Sequence, residues 1–237
     1  MDFIYGINPV LAALKAKRRQ LGILFLKPGK PGPRLDSAIE LAKRLKLRIQ
    51  EVDPERLLKI TGSEDHQGIA LECGALPPKD LTQLLQGQGV ILALDQISDP
   101  QNLGAMVRSA AFLGAKGVIH LNKKAAPLSA AASKASAGML ESFPVSLVTN
   151  LSEALRQAQG EGYFVYGAES KGGKPFTRAV SQDKLILVMG SEGEGLRDLT
   201  LKRCDELIYI PGQQGCESLN VANAAAILLQ HFCPAQV

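Results

Sequence analysis

Apolar residues in this chain recur at two spacings, and the spacings divide it into strands and helices. Short apolar runs, each closed by polar or Gly/Pro-containing turns, occupy residues 21–26, 68–73, 90–94, 117–121, 143–148, 163–166, 185–189 and 207–210. Continuous runs of this length predict buried strands. Residues 48–52 alternate apolar and polar, which predicts a strand with one buried face. Residues 35–47 instead carry Ala38, Leu41, Ala42 and Leu45 at helical spacing, the stripe of an amphipathic helix. Three helix starts are written as Asn or Asp followed by proline, at Asn8-Pro9, Asp53-Pro54 and Asp99-Pro100. The side-chain oxygen caps an unpaired N–H, and the proline ring presets the first helical φ. Further helices are predicted over residues 128–138, 150–159 and 196–203, and a last one from an N-cap at Ser218 to about Phe232.

Strand and helix alternate along the chain, so the fold class is α/β, with a parallel sheet covered by helices on both faces. Residues 1–75 form a small α/β unit of their own. The stretch Gly74-Ala-Leu-Pro-Pro-Lys79 breaks the pattern, and residues 76–89 read as a linker to a second domain over residues 90–237. Open parallel sheets place ligands beyond the carboxyl ends of their strands. Asn102, the turn Gly190-Ser-Glu-Gly-Glu-Gly195 and the pair Ser218/Asn220 all follow strand ends, so three polar segments are expected to converge on one edge. Gly104 and Arg108 lie four apart on one helix face, where a glycine leaves room beside the guanidinium.

With 237 residues, 46% hydrophobic and 21% charged, the chain has ample material for a core. A formal charge of +4 permits an anionic partner without demanding one. The placement of the charge says more. Lys15, Lys17, Arg18, Arg19, Lys27, Lys30, Arg34, Lys43, Arg44, Lys46 and Arg48 crowd the first unit, a candidate phosphate-facing patch. No run is long enough to span a membrane, and the first residues lack a signal-peptide layout. The expected location is therefore cytoplasmic, or the mitochondrial matrix if a transit peptide has been removed. Cys73, Cys204, Cys216 and Cys233 form no C-x-x-C pair, and His66, His120 and His231 share no spacing. Neither a metal site nor a disulfide framework is expected. Cys216 has no adjacent His or Lys to lower its pKa and reads as a bystander.

The glycine turn at residues 190–195 resembles a nucleotide loop only superficially. It is not G-x-G-x-x-G, it follows a late strand, and the acidic pair Asp205-Glu206 precedes a strand rather than ending one. No Gly-Lys-Ser/Thr is present, and Glu192 and Glu194 would repel a pyrophosphate. A carboxylate there suits a hydroxyl- or amine-bearing ligand.

Three segments, taken together, carry a family resemblance. Asp95-x3-Asp99-Pro-x-Asn102-x-Gly104-x3-Arg108, Val188-Met-Gly190-x-Glu192-Gly-x-Gly195-Leu and Ile210-Pro-x6-Ser218-Leu-Asn220-Val resemble the three motifs of the SpoU branch of the SPOUT RNA methyltransferases. The resemblance spans roughly residues 90–232. One departure is Asn223 after Ala222, where members more often carry Ser-Val-Ala. The first unit, with Tyr5-Gly-Ile-Asn-Pro-Val10 and His66-Gln-Gly-Ile69, looks like the substrate-binding domain of members that methylate a guanosine 2′-hydroxyl in large-subunit ribosomal RNA. What the resemblance implies is a parallel-sheet domain with a C-terminal trefoil knot, S-adenosylmethionine as cofactor, and a homodimer with Arg108 reaching towards the partner's cofactor. By motif, Gly190, Ile210 and Leu219 would line the cofactor pocket. Arg108 would be the key catalytic residue, with Asn102, Glu192, Ser218 and Asn220 orienting it and the ribose. The family proposal makes this arginine a base; a guanidinium is hardly ever neutral in proteins, so here it is read as binding phosphate and steadying an alkoxide. The rival readings are a transfer-RNA methyltransferase of the same family, a non-catalytic RNA-binding ribosome-assembly factor, and a dinucleotide-dependent oxidoreductase.

Overall fold

The apolar runs become the strands of two separate sheets. The computed structural model describes residues 2–29, 32–170, 172–191, 193–213 and 218–233. The first unit contains β1 (Asp2–Tyr5), α1 (Ile7–Ala16), β2 (Leu21–Leu26), α2 (Pro33–Arg44), β3 (Ile49–Glu51), α3 (Pro54–Thr61) and β4 (Ile69–Cys73). Its sheet runs in the order β1-β4-β2-β3. β4 is antiparallel to both neighbours, and β2 and β3 are parallel. One face packs Ile4, Leu24, Leu26, Ile69 and Leu71 against Val10 and Leu14 of α1 and Ala38 and Ala42 of α2. The other packs Tyr5, Phe25, Val52 and Ala70 against Leu57 of α3.

Local signals held in some places and lost in others. Asp53 caps α3 as its spacing predicts, accepting the Arg56 N–H at 2.8 Å. Asn8 does not cap α1. The helix begins two residues earlier, at Ile7, and the Ile7 N–H donates to Gln67 Oε1 at 3.0 Å, a side chain from across the unit that does the work of a cap. Gly6 permits this entry with φ of 87°. The short strand β1 was not among the predicted elements; at four residues it shows too little pattern to be distinguished from a loop.

The second unit contains α4 (Leu81–Leu85), β5 (Gly89–Leu94), α5 (Pro100–Phe112) and β6 (Gly117–Leu121). After the segment of α6 (Ala130–Ala135) it continues with β7 (Val145–Val148), α7 (Leu151–Gly160), β8 (Phe164–Ala168), β9 (Lys174–Pro175), β10 (Lys184–Met189), α8 (Asp198–Leu201), β11 (Glu206–Tyr209) and α9 (Val221–Phe232). The seven strands are ordered β7-β6-β5-β10-β8-β11-β9, and every neighbouring pair is parallel. Ile91, Ala93, Ile119, Val165, Ile186 and Val188 pack with Leu151, Leu155 and Ala158 of α7 and with Leu84 and Leu85 of α4. α5 and α9 pack on each other, α5 against β6 and α9 against β10. Phe232 at the end of α9 stacks on Tyr166 of β8, ring centroids 5.2 Å apart.

The compact units are not divided as one cut in the sequence would divide them. Leu128–Ser142, including α6, belongs to the first unit, and the boundary near the linker falls between Pro77 and Pro78. A buried ion pair holds the segment there. Arg19 donates from Nε to Glu141 Oε2 at 2.7 Å and from Nη2 to Oε1 at 3.0 Å. Ser133 adds a third bond to Glu141 at 2.8 Å, and Arg19 Nη1 reaches the Gly74 carbonyl at 3.0 Å. Arg19 therefore leaves the candidate phosphate-facing patch, since its side chain is only 2% exposed. Lys15, Lys17, Lys27, Arg34, Lys43, Arg44, Lys46 and Arg48 remain exposed, and Lys30 lies outside the described residues.

Two outcomes follow for stability. Glu141→Ala leaves the Arg19 guanidinium buried without its partner, and the expected loss is about 3–5 kcal/mol in denaturant unfolding. His120 sits fully buried in β6, with Nε2 2.8 Å from the Ala126 carbonyl oxygen and, among the described residues, no partner for Nδ1. Burial pushes its pKa below the ordinary 6.5. The unfolded chain therefore binds a proton that the folded chain resists, so this residue's contribution makes stability fall as pH drops below about 6.5. Unfolding midpoints measured from pH 5 to 8 should show that slope, and His120→Gln should flatten it.

Candidate functional site at the strand ends

Parallel register brings four strand ends together. Met189 of β10 pairs with Leu94 of β5 on one side and with Ala168 of β8 on the other. Ile208 of β11 pairs with Ala168. The residues that leave these strands, Asp95, Gly190, Glu169 and Ile210, thus share one edge, as expected for a ligand site in such a sheet.

The turn after β10 closes on itself. Ser191 and Gly195 exchange backbone hydrogen bonds, each 3.1 Å long. A Cβ on Gly190 would stand 2.2 Å from the Gly195 carbonyl carbon and 2.6 Å from Leu196 N, so only glycine admits this backbone crossing. Gly193 and Gly195 take φ of 89° and 69°. Carboxylates from both neighbouring strands hold the far side of the turn. Asp95, fully buried, accepts the Arg197 backbone N–H at 3.1 Å and the Arg197 Nε–H at 2.7 Å. Glu169 accepts the Leu196 N–H at 2.9 Å. The sequence held no clear signal for these two roles. Asp95 stood in a motif and Glu169 in a polar loop, but the partner of Asp95 lies 102 residues away.

The helix starts supply a second cluster. Asp99 caps α5 through the Gln101 N–H at 2.9 Å, which places Asn102 in the first turn. The N-cap of α9 is Asn220, not Ser218. Its Oδ1 accepts from Ala222 N at 2.9 Å and Asn223 N at 3.3 Å. Its Nδ2 donates to Asn102 Oδ1 at 3.0 Å. One asparagine thus caps its own helix with one atom and ties it to α5 with another. Ser218, two residues before that cap, is exposed.

Arg108 is exposed on α5. Helical geometry sets it roughly 120° around the axis from Asn102, so the two leave the helix on different faces. Gly104 is buried on α5, together with Leu103, Met106 and Val107. Gly190 is buried, Ile210 half-buried and Leu219 50% exposed. Glu192 and Cys216 lie outside the described residues. Burial pushes the Cys204 thiol up to about 12 and those of Cys73 and Cys233 to about 11, which leaves them inert as nucleophiles near neutral pH. Among the described residues, no group of three or more His, Cys, Asp or Glu is placed to hold a metal ion.

The family model described as SpoU rRNA Methylase family matches residues 89–230. A model described as RNA 2′-O ribose methyltransferase substrate binding matches residues 3–79. The chain is 34% identical over 234 residues to the 23S rRNA (guanosine-2′-O-)-methyltransferase RlmB of Xanthomonas campestris pv. campestris, covering 96% of this chain and 94% of that protein. It is 37% identical over 235 residues to an uncharacterized tRNA/rRNA methyltransferase of Synechocystis, of whose length it spans 61%. Among solved structures, the SpoU methyltransferase AviRb from Streptomyces viridochromogenes in complex with AdoMet superposes with a TM-score of 0.84 at 24% identity, covering 98% of this chain and 88% of that one.

The closed turn makes a direct prediction. Gly190→Ala forces the backbone at Gly195 and Leu196 to move, and overpacking of this kind costs about 1–3 kcal/mol. Hydrogen exchange should show the Gly195 and Leu196 amides losing protection while those in β5 and β10 keep theirs.

Proposed function

The chain belongs to the SpoU rRNA methylase family, and from that premise we propose that it transfers a methyl group from S-adenosylmethionine to the 2′-hydroxyl of a guanosine in large-subunit ribosomal RNA. The observation that carries this reading is the 3.0 Å hydrogen bond between Asn220 and Asn102, which joins the segment after β11 to the helix after β5 at the sheet edge where the glycine turn also ends. The relatives named for 23S guanosine methylation align over nearly the whole chain and support ribosomal over transfer RNA. The exposed lysines and arginines of the first unit support binding to the RNA backbone.

The residues present suit the methyl donor. Gly190 lets backbone groups crowd the strand end, Ile210 follows β11, and Leu219 leaves apolar surface open at 50% exposure. Backbone donors and acceptors together with apolar side chains suit an adenosine. We assign Gly190, Ile210 and Leu219 to hold it. When bound, the donor supplies a sulfonium whose methyl is electrophilic. The family's threaded C-terminus is part of the proposal; α9 follows β11 in sequence yet packs on α5 and β10, which supports a chain that doubles back.

The substrate hydroxyl is a weak acid; its oxygen takes the methyl group and becomes an ether oxygen, its proton passes to solvent water, and the donor's thioether is the leaving group. Arg108 binds the neighbouring phosphate and stabilises the charge that develops on that oxygen. Asn102, Ser218, Asn220 and Glu192 orient the ribose. The working form is a homodimer in which Arg108 serves the site of the other copy. Its departure from α5 on a different face from Asn102 supports this, as does Phe112, one turn further on and 88% exposed, an apolar surface that a second copy would cover. No helix among the described residues is long and apolar enough to cross a membrane, and bacterial relatives named for 23S rRNA support a cytoplasmic location over a mitochondrial one.

Arg108→Lys should bind RNA within about threefold of wild type yet lose about 100-fold in single-turnover methyl transfer, because a point charge does not copy the planar fork. A near-normal rate in that variant overturns the role of Arg108. In cells lacking the protein, ribose-methylation mapping should find one guanosine of large-subunit RNA unmodified; a transfer-RNA site instead overturns the substrate.

A further inference from the structure

β10 lies between β5 and β8 in the sheet, and each of those neighbours sends one carboxylate into the turn that follows β10. Asp95 leaves β5 and takes the Arg197 N–H; Glu169 leaves β8 and takes the Leu196 N–H. Two consecutive backbone amides are therefore fixed from opposite sides. Asp95 is held further by the Arg197 side chain through Nε at 2.7 Å and Nη2 at 2.6 Å. The Glu169 oxygens approach Gly195 so closely that a Cβ there would meet one at 3.0 Å. Hydrogen bonds to an ionised acceptor are the strong kind, and a buried carboxylate is costly unless it is used in this way. Between the clamp and β10, the turn is closed by its own Ser191–Gly195 bridge.

We infer that Asp95 and Glu169 are positioning residues for the methyl donor. They fix the course of Gly195, Leu196 and Arg197 at the end of the turn, so that these backbone groups are aimed before the donor arrives. This rests on the proposed reading of the strand-end site and adds to it the source of the turn's shape. A turn ordered in advance does not lose its conformational freedom at the moment of binding, and that saving appears as donor affinity. The carboxylates themselves need not touch the donor. Their effect therefore falls on donor binding, with the rate at saturation and RNA affinity left nearly intact.

The test measures S-adenosylmethionine and S-adenosylhomocysteine binding by titration calorimetry on wild type, Glu169→Ala, Glu169→Gln and Asp95→Asn. It adds RNA binding, single-turnover rates at saturating donor, and hydrogen exchange without donor. Glu169→Ala is expected to bind donor about tenfold more weakly or worse, with RNA affinity and the saturated rate within about threefold. Glu169→Gln keeps an amide oxygen for the Leu196 N–H and should recover most of the loss. Asp95→Asn turns an N–H towards Arg197 and should weaken donor binding as Glu169→Ala does. In both weakened variants the Leu196 and Arg197 amides should exchange faster before any donor is added. Donor affinity unchanged in Glu169→Ala, or a Glu169→Gln variant no better than alanine, overturns the inference. If Glu169→Ala does not fold, Asp95→Asn decides on the same readings. Wild-type protein that binds no donor instead overturns the parent reading, a result seen before any variant is made.

Discussion

Parallel pairing is the constraint from which the site follows. Seven strands run the same way, so every carboxyl end lies on one edge, and every chain segment that must leave that edge does so beside the others. Polar loops separated by a hundred residues become neighbours without any long-range signal in the sequence. The order of the strands then selects which loops meet. β10 is inserted late in the chain between β5 and β8, so its turn lies between the segment that carries Asp95 and the one that carries Glu169. Loops at the outer strands have no such pair of neighbours.

At Asp95 and Glu141, charge is carried inside this protein by being matched. Asp95 and Glu141 are both fully buried carboxylates, and each is satisfied by one arginine plus a further donor. A lone carboxylate at either place would be costly, and a hydrophobic pair of equal volume would pack without loss. What the charged pair adds is direction: it accepts only donors that arrive at set angles. At Asp95 this orients a backbone turn, and at Glu141 it attaches a helix-bearing segment to a unit from which it is distant in sequence.

The elements were largely legible, because their signals are local. The strand over residues 117–121 and the capped starts at Asp53 and Asp99 follow from spacing and side-chain chemistry alone. Where a remote group does the work of a local one, the sequence misleads. Gln67 replaces Asn8 at the head of α1. Asn220 rather than Ser218 caps α9, since both residues can cap and only the path of the preceding loop decides between them. Asn102 and Asn220, which the structure brings within 3.0 Å of each other, stood in the motifs that carry the resemblance. Asp95–Arg197 and Glu169 were not legible, because a hydrogen bond to a distant backbone N–H leaves no mark on the residue that donates it.

The excursion of residues 128–142 bears on the order in which the protein can be made. The first unit holds Arg19 in its interior, and the carboxylate that neutralises it comes 122 residues later. During synthesis the chain emerges from its amino end. The first unit therefore waits, with a charge it cannot yet bury, while two strands of the next sheet have already left the ribosome. It is the earlier domain by position and a late one to complete, and a fragment ending at the linker would lack the segment that finishes it.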